Sequence, residues 1–161
     1  MFSFLSKNNK VSLVSPSNGE LIPMEKVNDP VFSQKALGDG YAINPSNDNI
    51  YSPLSGKISS IFPTKHAIGI ITDEGLEVLL HLGINTVELN GKPFNIEKSV
   101  GDHVFSGDLI MTMNRAKIVD SGKIPTVIVI FTDMSQVKEL KVIDKSLVEH
   151  GEIVATVTLN K

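Results

Sequence analysis

Two histidines and a threonine are the residues of this 161-residue chain whose types and spacing could do chemistry together: Thr64 and His66 before one apolar run, and His81 near the end of the next. A neutral imidazole nitrogen is a nucleophile near pH 7, because a reference pKa of ~6.5 keeps the neutral ring well populated. A phosphoryl group carried on such a nitrogen is labile enough to be handed on. A second imidazole beside it can donate a hydrogen bond to the phosphoryl oxygens and so stabilise the charge of a loose transition state, and no metal is needed.

The elements that must position these rings follow from the flanking residues. Segments 67–71 and 76–82 are apolar and rich in branched side chains, and Asp73-Glu74-Gly75 between them is turn chemistry, so the stretch predicts a β-hairpin. With a two-residue loop, Asp73-Glu74, Thr72 faces Gly75 and His66 faces His81. Directly opposed residues share a face with Cβ atoms roughly 4.5–5.5 Å apart. With a three-residue loop and Gly75 in the left-handed region, the register moves by one and the two histidines fall on opposite faces. Both loops suit the sequence.

Beyond the hairpin, short apolar runs alternate with Gly, Pro, Asn and Ser about every ten residues, and no stretch holds a helical period for three turns. The expected fold is all-β, an antiparallel sandwich or barrel-like structure. Strands are predicted at 10–15, 19–23, 41–44, 49–51, 56–62, 67–72, 76–82, 103–105, 108–113, 126–131 and 153–159. Helical turns are predicted only at 29–34, 114–120 and 134–139. An internal echo supports repeated strand and turn units: Ser15-Pro16-Ser17-Asn18-Gly19 returns as Ser52-Pro53-Leu54-Ser55-Gly56. Gly101-Asp102, Gly107-Asp108 and Gly151-Glu152 form a weaker set.

Composition bounds the function. The chain is 41% hydrophobic and 20% charged with a net charge of −3, which suits one domain with a sizeable core and leaves no basic footprint for nucleic acid. It has no cysteine, so disulfides, thiol nucleophiles and thiolate metal sites are excluded. Residues 1–10 read as a flexible leader, in which Phe2, Phe4 and Leu5 with Lys7 and Lys10 would give at most peripheral membrane contact, and 11–161 as the domain. The apolar start is too short for a signal peptide and no segment reaches the ~18 apolar residues of a span, so a cytoplasmic location is expected.

The hairpin resembles the active-site segment of the glucose-class enzyme IIA of the bacterial phosphoenolpyruvate-dependent sugar phosphotransferase system. Thr64-Lys65-His66-Ala67 is similar to that family's first histidine segment, Val78-Leu79-Leu80-His81-Leu82-Gly83 to its second, and Thr86-Val87-Glu88-Leu89-Asn90-Gly91 to the run that follows. Gly38-Asp39-Gly40-Tyr41-Ala42-Ile43-Asn44-Pro45, Ser52-Pro53-Leu54-Ser55-Gly56 and Val100-Gly101-Asp102-His103-Val104-Phe105-Ser106-Gly107-Asp108 also resemble family signatures. The resemblance implies a β-sandwich with both histidines in a shallow depression. It implies a phosphotransferase component in which His81 accepts a phosphoryl group from the histidine-containing phosphocarrier protein and passes it to a cysteine of an enzyme IIB domain of a IIB/IIC sugar permease. His66 would support that histidine and Thr64 would orient His66. A partner-docking rim of Val31, Phe32, Asp39, Gly40, Phe62, Gly83 and Asn85 is implied as well. Without the resemblance, Val31, Phe32 and Phe62 read as core, and Gly38-Asp39-Gly40 as a tight turn.

The chain departs from the family pattern in four places. Asn85 stands where enterobacterial members have Asp, removing a negative charge near the phosphoryl site. Met113-Asn114-Arg115 replaces Phe-Asp-Leu, Phe131-Thr132 ends a run that is usually Val-Ile-Thr/Ser-Asn, and Ser17-Asn18 replaces Leu-Ser; these bear on partner choice and packing.

Three rival readings compete with this one. A zinc peptidase needs His-x-His and His-x-x-x-Asp spacings that are absent, although His66 and His81 with a partner's carboxylate would complete a tetrahedral zinc. A lipoyl or biotinyl carrier fails because Met111-Thr112-Met113 has no lysine to acylate. The third, a non-catalytic binding sandwich of the same fold, differs only in whether His81 is phosphorylated. His103 and His150 read as solvated loop residues with no role.

Overall fold

The computed structural model describes residues 9–160. The leader residues Phe2, Phe4, Leu5 and Lys7 lie outside the described residues, whereas Lys10 opens the first strand. In chain order come β1 (Lys10–Val14), β2 (Gly19–Pro23), a 3-10 turn at Met24–Lys26, α1 (Pro30–Ser33), β3 (Gly40–Pro45), β4 (Asn49–Tyr51) and β5 (Gly56–Ile61). The hairpin strands β6 (Ala67–Ile71) and β7 (Glu77–Ile84) follow, then a 3-10 turn at Thr86–Leu89, β8 (Phe94–Ile96), β9 (His103–Val104) and β10 (Leu109–Met113). The second half closes with α2 (Arg115–Asp120), β11 (Ile124–Phe131), a 3-10 turn at Met134–Gln136, β12 (Val137–Val142), β13 (Leu147–Val148) and β14 (Ile153–Leu159). No helix among the described residues is long and apolar enough to cross a membrane.

An eight-stranded sheet in the order β13-β2-β3-β11-β7-β6-β5-β9 is accompanied by two three-stranded sheets, β1-β14-β12 and β4-β10-β8, and all pairings are antiparallel. The large sheet stays open, with β13 and β9 at its edges, so the fold is a sandwich and not a closed barrel. Period-two alternation decides which side chains face where. Val78, Leu80 and Leu82 of β7 and Val127, Val129 and Phe131 of β11 join Tyr41, Ile43, Ile68 and Ile70 in the main core, packed with Leu13, Ile50, Met113 and Val157 from the smaller sheets. The alternate residues Ala42, Ile128 and Ile130 point the other way and build a second, smaller core with Met24, Val27 and Phe32 beneath α1; Ile84 joins them past the irregular end of β7, where the ladder to β11 shifts register. Asp29 caps α1, its carboxylate accepting from the Val31 N–H at 2.9 Å with Pro30 at the first helical position, and Asn114 caps α2 in the same manner.

The sequence echo is a structural repeat. Ser15 Oγ donates to the Ser17 carbonyl at 2.6 Å and Ser52 Oγ to the Leu54 carbonyl at 2.7 Å, both hydroxyls fully buried. The two copies bond each other reciprocally, Val14 N–H to Pro53 O and Tyr51 N–H to Pro16 O, each at 2.8 Å. Each copy also holds a Gly-acid turn: Ser15 exchanges backbone bonds with Gly151 and Glu152, and Ser52 with Gly107 and Asp108.

Two expectations need correction. The helical turn at 134–139 ends at Gln136, and residues from Val137 onward form β12, whose exposed Lys138, Glu139 and Lys141 mark it as a charged edge strand. Strands β8, β12 and β13 lie outside the predicted strands; β8 and β13 are only three and two residues long.

Because the Ser15 and Ser52 hydroxyls each satisfy a carbonyl in a dry turn, Ser15→Ala and Ser52→Ala are expected to destabilise the fold by about 1–3 kcal/mol each. Urea unfolding of the two variants checks this, and equal losses are expected because the turns are equivalent.

Candidate active site

His81 stands on the outer face of the eight-stranded sheet. Its register partners are Ile128 on β11 and Ala67 on β6, and Ile128 in turn faces Ala42 on β3, so one row across the sheet reads Ala42, Ile128, His81, Ala67. Ala67 keeps the row low on one side of the imidazole, and Ile128 of the second core flanks it on the other. The ring is bounded by Phe32 of α1, with centroids 4.9 Å apart, and by His66, with centroids 5.2 Å apart and planes at 78°.

The hairpin takes the three-residue loop. Thr72 N–H bonds Leu76 O at 3.0 Å, Gly75 N–H bonds Thr72 O at 2.9 Å, and Gly75 lies at φ +93°, a conformation that suits glycine. His81 therefore faces Ala67 and not His66. The rings nonetheless meet, because strand alternation does not govern His66. It sits just before β6, where the chain turns through Lys65 at φ +60° with Lys65 N–H bonded to Phe62 O at 2.7 Å. The His66 carbonyl still accepts from the Leu82 N–H at 2.7 Å, which holds its backbone against β7.

Each ring is held through Nδ1. For His81 the partner is the Gly83 carbonyl at 2.8 Å, which can only accept, so Nδ1 carries the proton and Nε2 keeps its lone pair. For His66 the partner is Thr64 Oγ1 at 2.6 Å, and a hydroxyl can donate to an unprotonated Nδ1. His66 is 7% exposed and its other neighbour is the edge of Phe62, 5.3 Å between centroids. Burial lowers the pKa of His66 below the ordinary imidazole value. His81 is lowered to about 4, first by burial and then by the neighbouring His66, against the opposing pull of the Gly83 carbonyl and the Asp29 carboxylate. Two neutral imidazoles result, and the arrangement can present one nucleophilic nitrogen beside one hydrogen-bond donor.

The described residues match the model of the family "phosphoenolpyruvate-dependent sugar phosphotransferase system, EIIA 1" over positions 11–137. The chain belongs to that family. Over 151 residues it is 38% identical to the "PTS system glucose-specific EIIA component" of Staphylococcus aureus strain COL, covering 93% of this chain and 91% of the relative. Over 127 residues it is 48% identical to the "PTS system glucose-specific EIICBA component" of Streptococcus pneumoniae, covering 79% of this chain but 18% of that much longer protein. The solved glucose permease IIA of Mycoplasma capricolum superposes with a TM-score of 0.85 at 34% identity, covering 96% of this chain and 99% of that one. This EIIA domain is accordingly a phosphocarrier component of sugar uptake with the family's β-sandwich.

Around the EIIA histidines the expected rim residues divide into different environments. Val31 at 46% and Phe62 at 39% are exposed apolar side chains, which corrects their reading as core, whereas Phe32 is buried against His81. Asp39 accepts from the Gly40 N–H through Oδ1 and approaches Lys35 at 3.5 Å, while Gly40 is buried in β3. Gly83 contributes its carbonyl to His81, and Asn85 takes the left-handed conformation at φ 62°. His150 stacks on Tyr51 with centroids 3.9 Å apart, and His103 contacts Phe105; neither reaches the site. The Asp29 carboxylate, which caps α1, is the weakest of the four influences on the His81 ring, and the sequence analysis did not single it out. No group of three or more His, Asp or Glu among the described residues is placed to hold a metal ion, so the two imidazoles alone fill half of a tetrahedral shell.

The lowered His81 pKa has a signed consequence. Between about 4 and the unfolded value of ~6.5, the unfolded chain binds a proton that the folded site refuses, so stability falls as pH drops through that window. Denaturant titrations at pH 7.5 and 5 are expected to show this loss, and His81→Gln to reduce it.

Proposed function

We propose that His81 Nε2 is the phosphoryl acceptor of this EIIA domain, that His66 supports the transfer and that Thr64 orients His66. The observation that carries the reading is the hydrogen bond from His81 Nδ1 to the Gly83 carbonyl, which leaves the lone pair on Nε2 in a ring kept neutral by burial. Transfer then balances without a proton. The Nε2 lone pair forms a new N–P bond as the N–P bond to the donor's phosphohistidine breaks, and the Nδ1 proton stays with Gly83. The proposed donor is the histidine-containing phosphocarrier protein, and the proposed acceptor a cysteine thiolate of the EIIB domain of a glucose-class permease. Attack by that sulfur breaks the His81 N–P bond and restores the neutral ring. The fused relative that carries EIIC, EIIB and EIIA in one name supports a sugar permease as the downstream partner.

With the Thr64 hydroxyl donating to Nδ1, His66 carries its hydrogen on Nε2, where it can donate to a phosphoryl oxygen. The exposed Val31 and Phe62 on either side of the rings suit transient docking of two successive partners on one apolar face.

His81→Gln is expected to abolish acid-labile phosphate uptake from phosphoenolpyruvate, enzyme I and the phosphocarrier protein, read by intact mass. His66→Gln is expected to accept phosphate yet deliver it to EIIB roughly 10²-fold more slowly. Equal loss of acceptance in both variants would overturn the division of roles.

A further inference from the structure

The turn that follows His81 holds a buried side chain that the family motif contains without a role assigned above. Thr86 is fully buried at the head of the 3-10 turn Thr86–Leu89. Its Oγ1 donates to the Leu82 carbonyl at 2.5 Å. Leu82 is the residue through which both histidines are tied: its N–H holds the His66 carbonyl, and its C=O belongs to the peptide unit that leads into Gly83. At this point the ladder to β11 shifts register between Ile124 and Val127, so an intact ladder does not set the course of the strand end. Gly83 lies at φ +82°, and a Cβ there would run into the Thr86 methyl group, so Thr86 fills the space over the glycine as well as bonding the carbonyl before it. Asn85, immediately before Thr86, is also left-handed and has no side-chain cap bond of its own.

We infer that Thr86 is a positioning residue for His81: its hydroxyl holds the Leu82–Gly83 backbone so that the Gly83 carbonyl faces Nδ1 and keeps the ring proton there. A carbonyl two residues after the ring can act on it only if the intervening peptide is fixed, and glycine is the residue least able to fix its own backbone. Which nitrogen of an imidazole carries the proton is set by the hydrogen bonds its nitrogens make, and the Gly83 carbonyl, an acceptor, favours Nδ1–H; a loosened Gly83 carbonyl therefore mixes the two tautomers and removes part of the Nε2 lone-pair population. The importance of that tautomer for transfer rests on His81 being the acceptor, as proposed above; the positioning itself does not.

The test is the side-chain 15N spectrum of His81 at pH 8 in the unphosphorylated protein, with wild type compared with Thr86→Val and Thr86→Ser. The wild type is expected to show a protonated Nδ1 and an unprotonated Nε2. Thr86→Val, which keeps the shape and loses the hydroxyl, is expected to draw the two shifts toward each other and to slow phosphate acceptance roughly 10–10²-fold. Thr86→Ser, which keeps the hydroxyl, is expected to retain the wild-type shifts and remain readable if the valine variant does not fold. Unchanged His81 shifts in a folded Thr86→Val, or a serine variant with mixed tautomers, would overturn the inference. A wild type that takes up no phosphate while these shifts behave as expected would instead overturn the acceptor assignment and leave the positioning role standing.

Discussion

The hydrogen bond from His81 Nδ1 to the Gly83 carbonyl is the contact on which the proposed chemistry of this site depends. An imidazole in an apolar row would otherwise be one more packed side chain. With its Nδ1 proton committed to a carbonyl and its charge disfavoured by burial, it becomes a neutral ring with a fixed lone pair. The surrounding parts serve that state. Ala67 leaves the row shallow beside the ring, Phe32 closes one side, and His66, itself tethered by Thr64, closes the other.

The sandwich places this site on the outer face of its large sheet, where the main core does not compete for it. Leu80 and Leu82, on either side of His81 in sequence, point inward and anchor β7, so the histidine is rigid without being enclosed. The second small core under α1 lies beside it, and Asp29 acts in both places, capping the helix and pulling on the imidazole. Val31 and Phe62 remain exposed apolar side chains, Val31 next to Phe32 in α1 and Phe62 against His66, which suits the partner docking proposed for this face.

Much of this was legible in the sequence, for reasons that differ from element to element. Strands such as Gly19–Pro23, Asn49–Tyr51 and Ile153–Leu159 stand between clear turn residues, and the serine echo announced two equivalent turns that the hydrogen bonds bear out. The charged alternation of Val137–Val142 concealed an edge strand, because such a pattern serves a solvated strand as well as a helical turn. Hairpin register was ambiguous, and its solution shows why: sequence patterns count residues along a strand, whereas His66 comes to the site through the turn at Lys65, beyond the last rung of the ladder. The role of a main-chain carbonyl such as that of Gly83 has no side-chain signature at all.

The pairing of β1 with β14 bears on how the protein is made. Lys10 finds its rung opposite Thr158 and Leu13 opposite Ala155, so the first strand meets its partner only after nearly the whole described chain has been synthesised. At about 10 residues per second, β1 leaves the ribosome on the order of ten seconds before β14 can bond to it. During that interval Leu13, wholly buried in the finished sandwich, has no sheet to enter. The β6–β7 hairpin, by contrast, can pair its own strands as soon as they emerge. The rungs beside His81 are thus local in sequence, whereas the seal between β1 and β14 joins the two ends of the described chain.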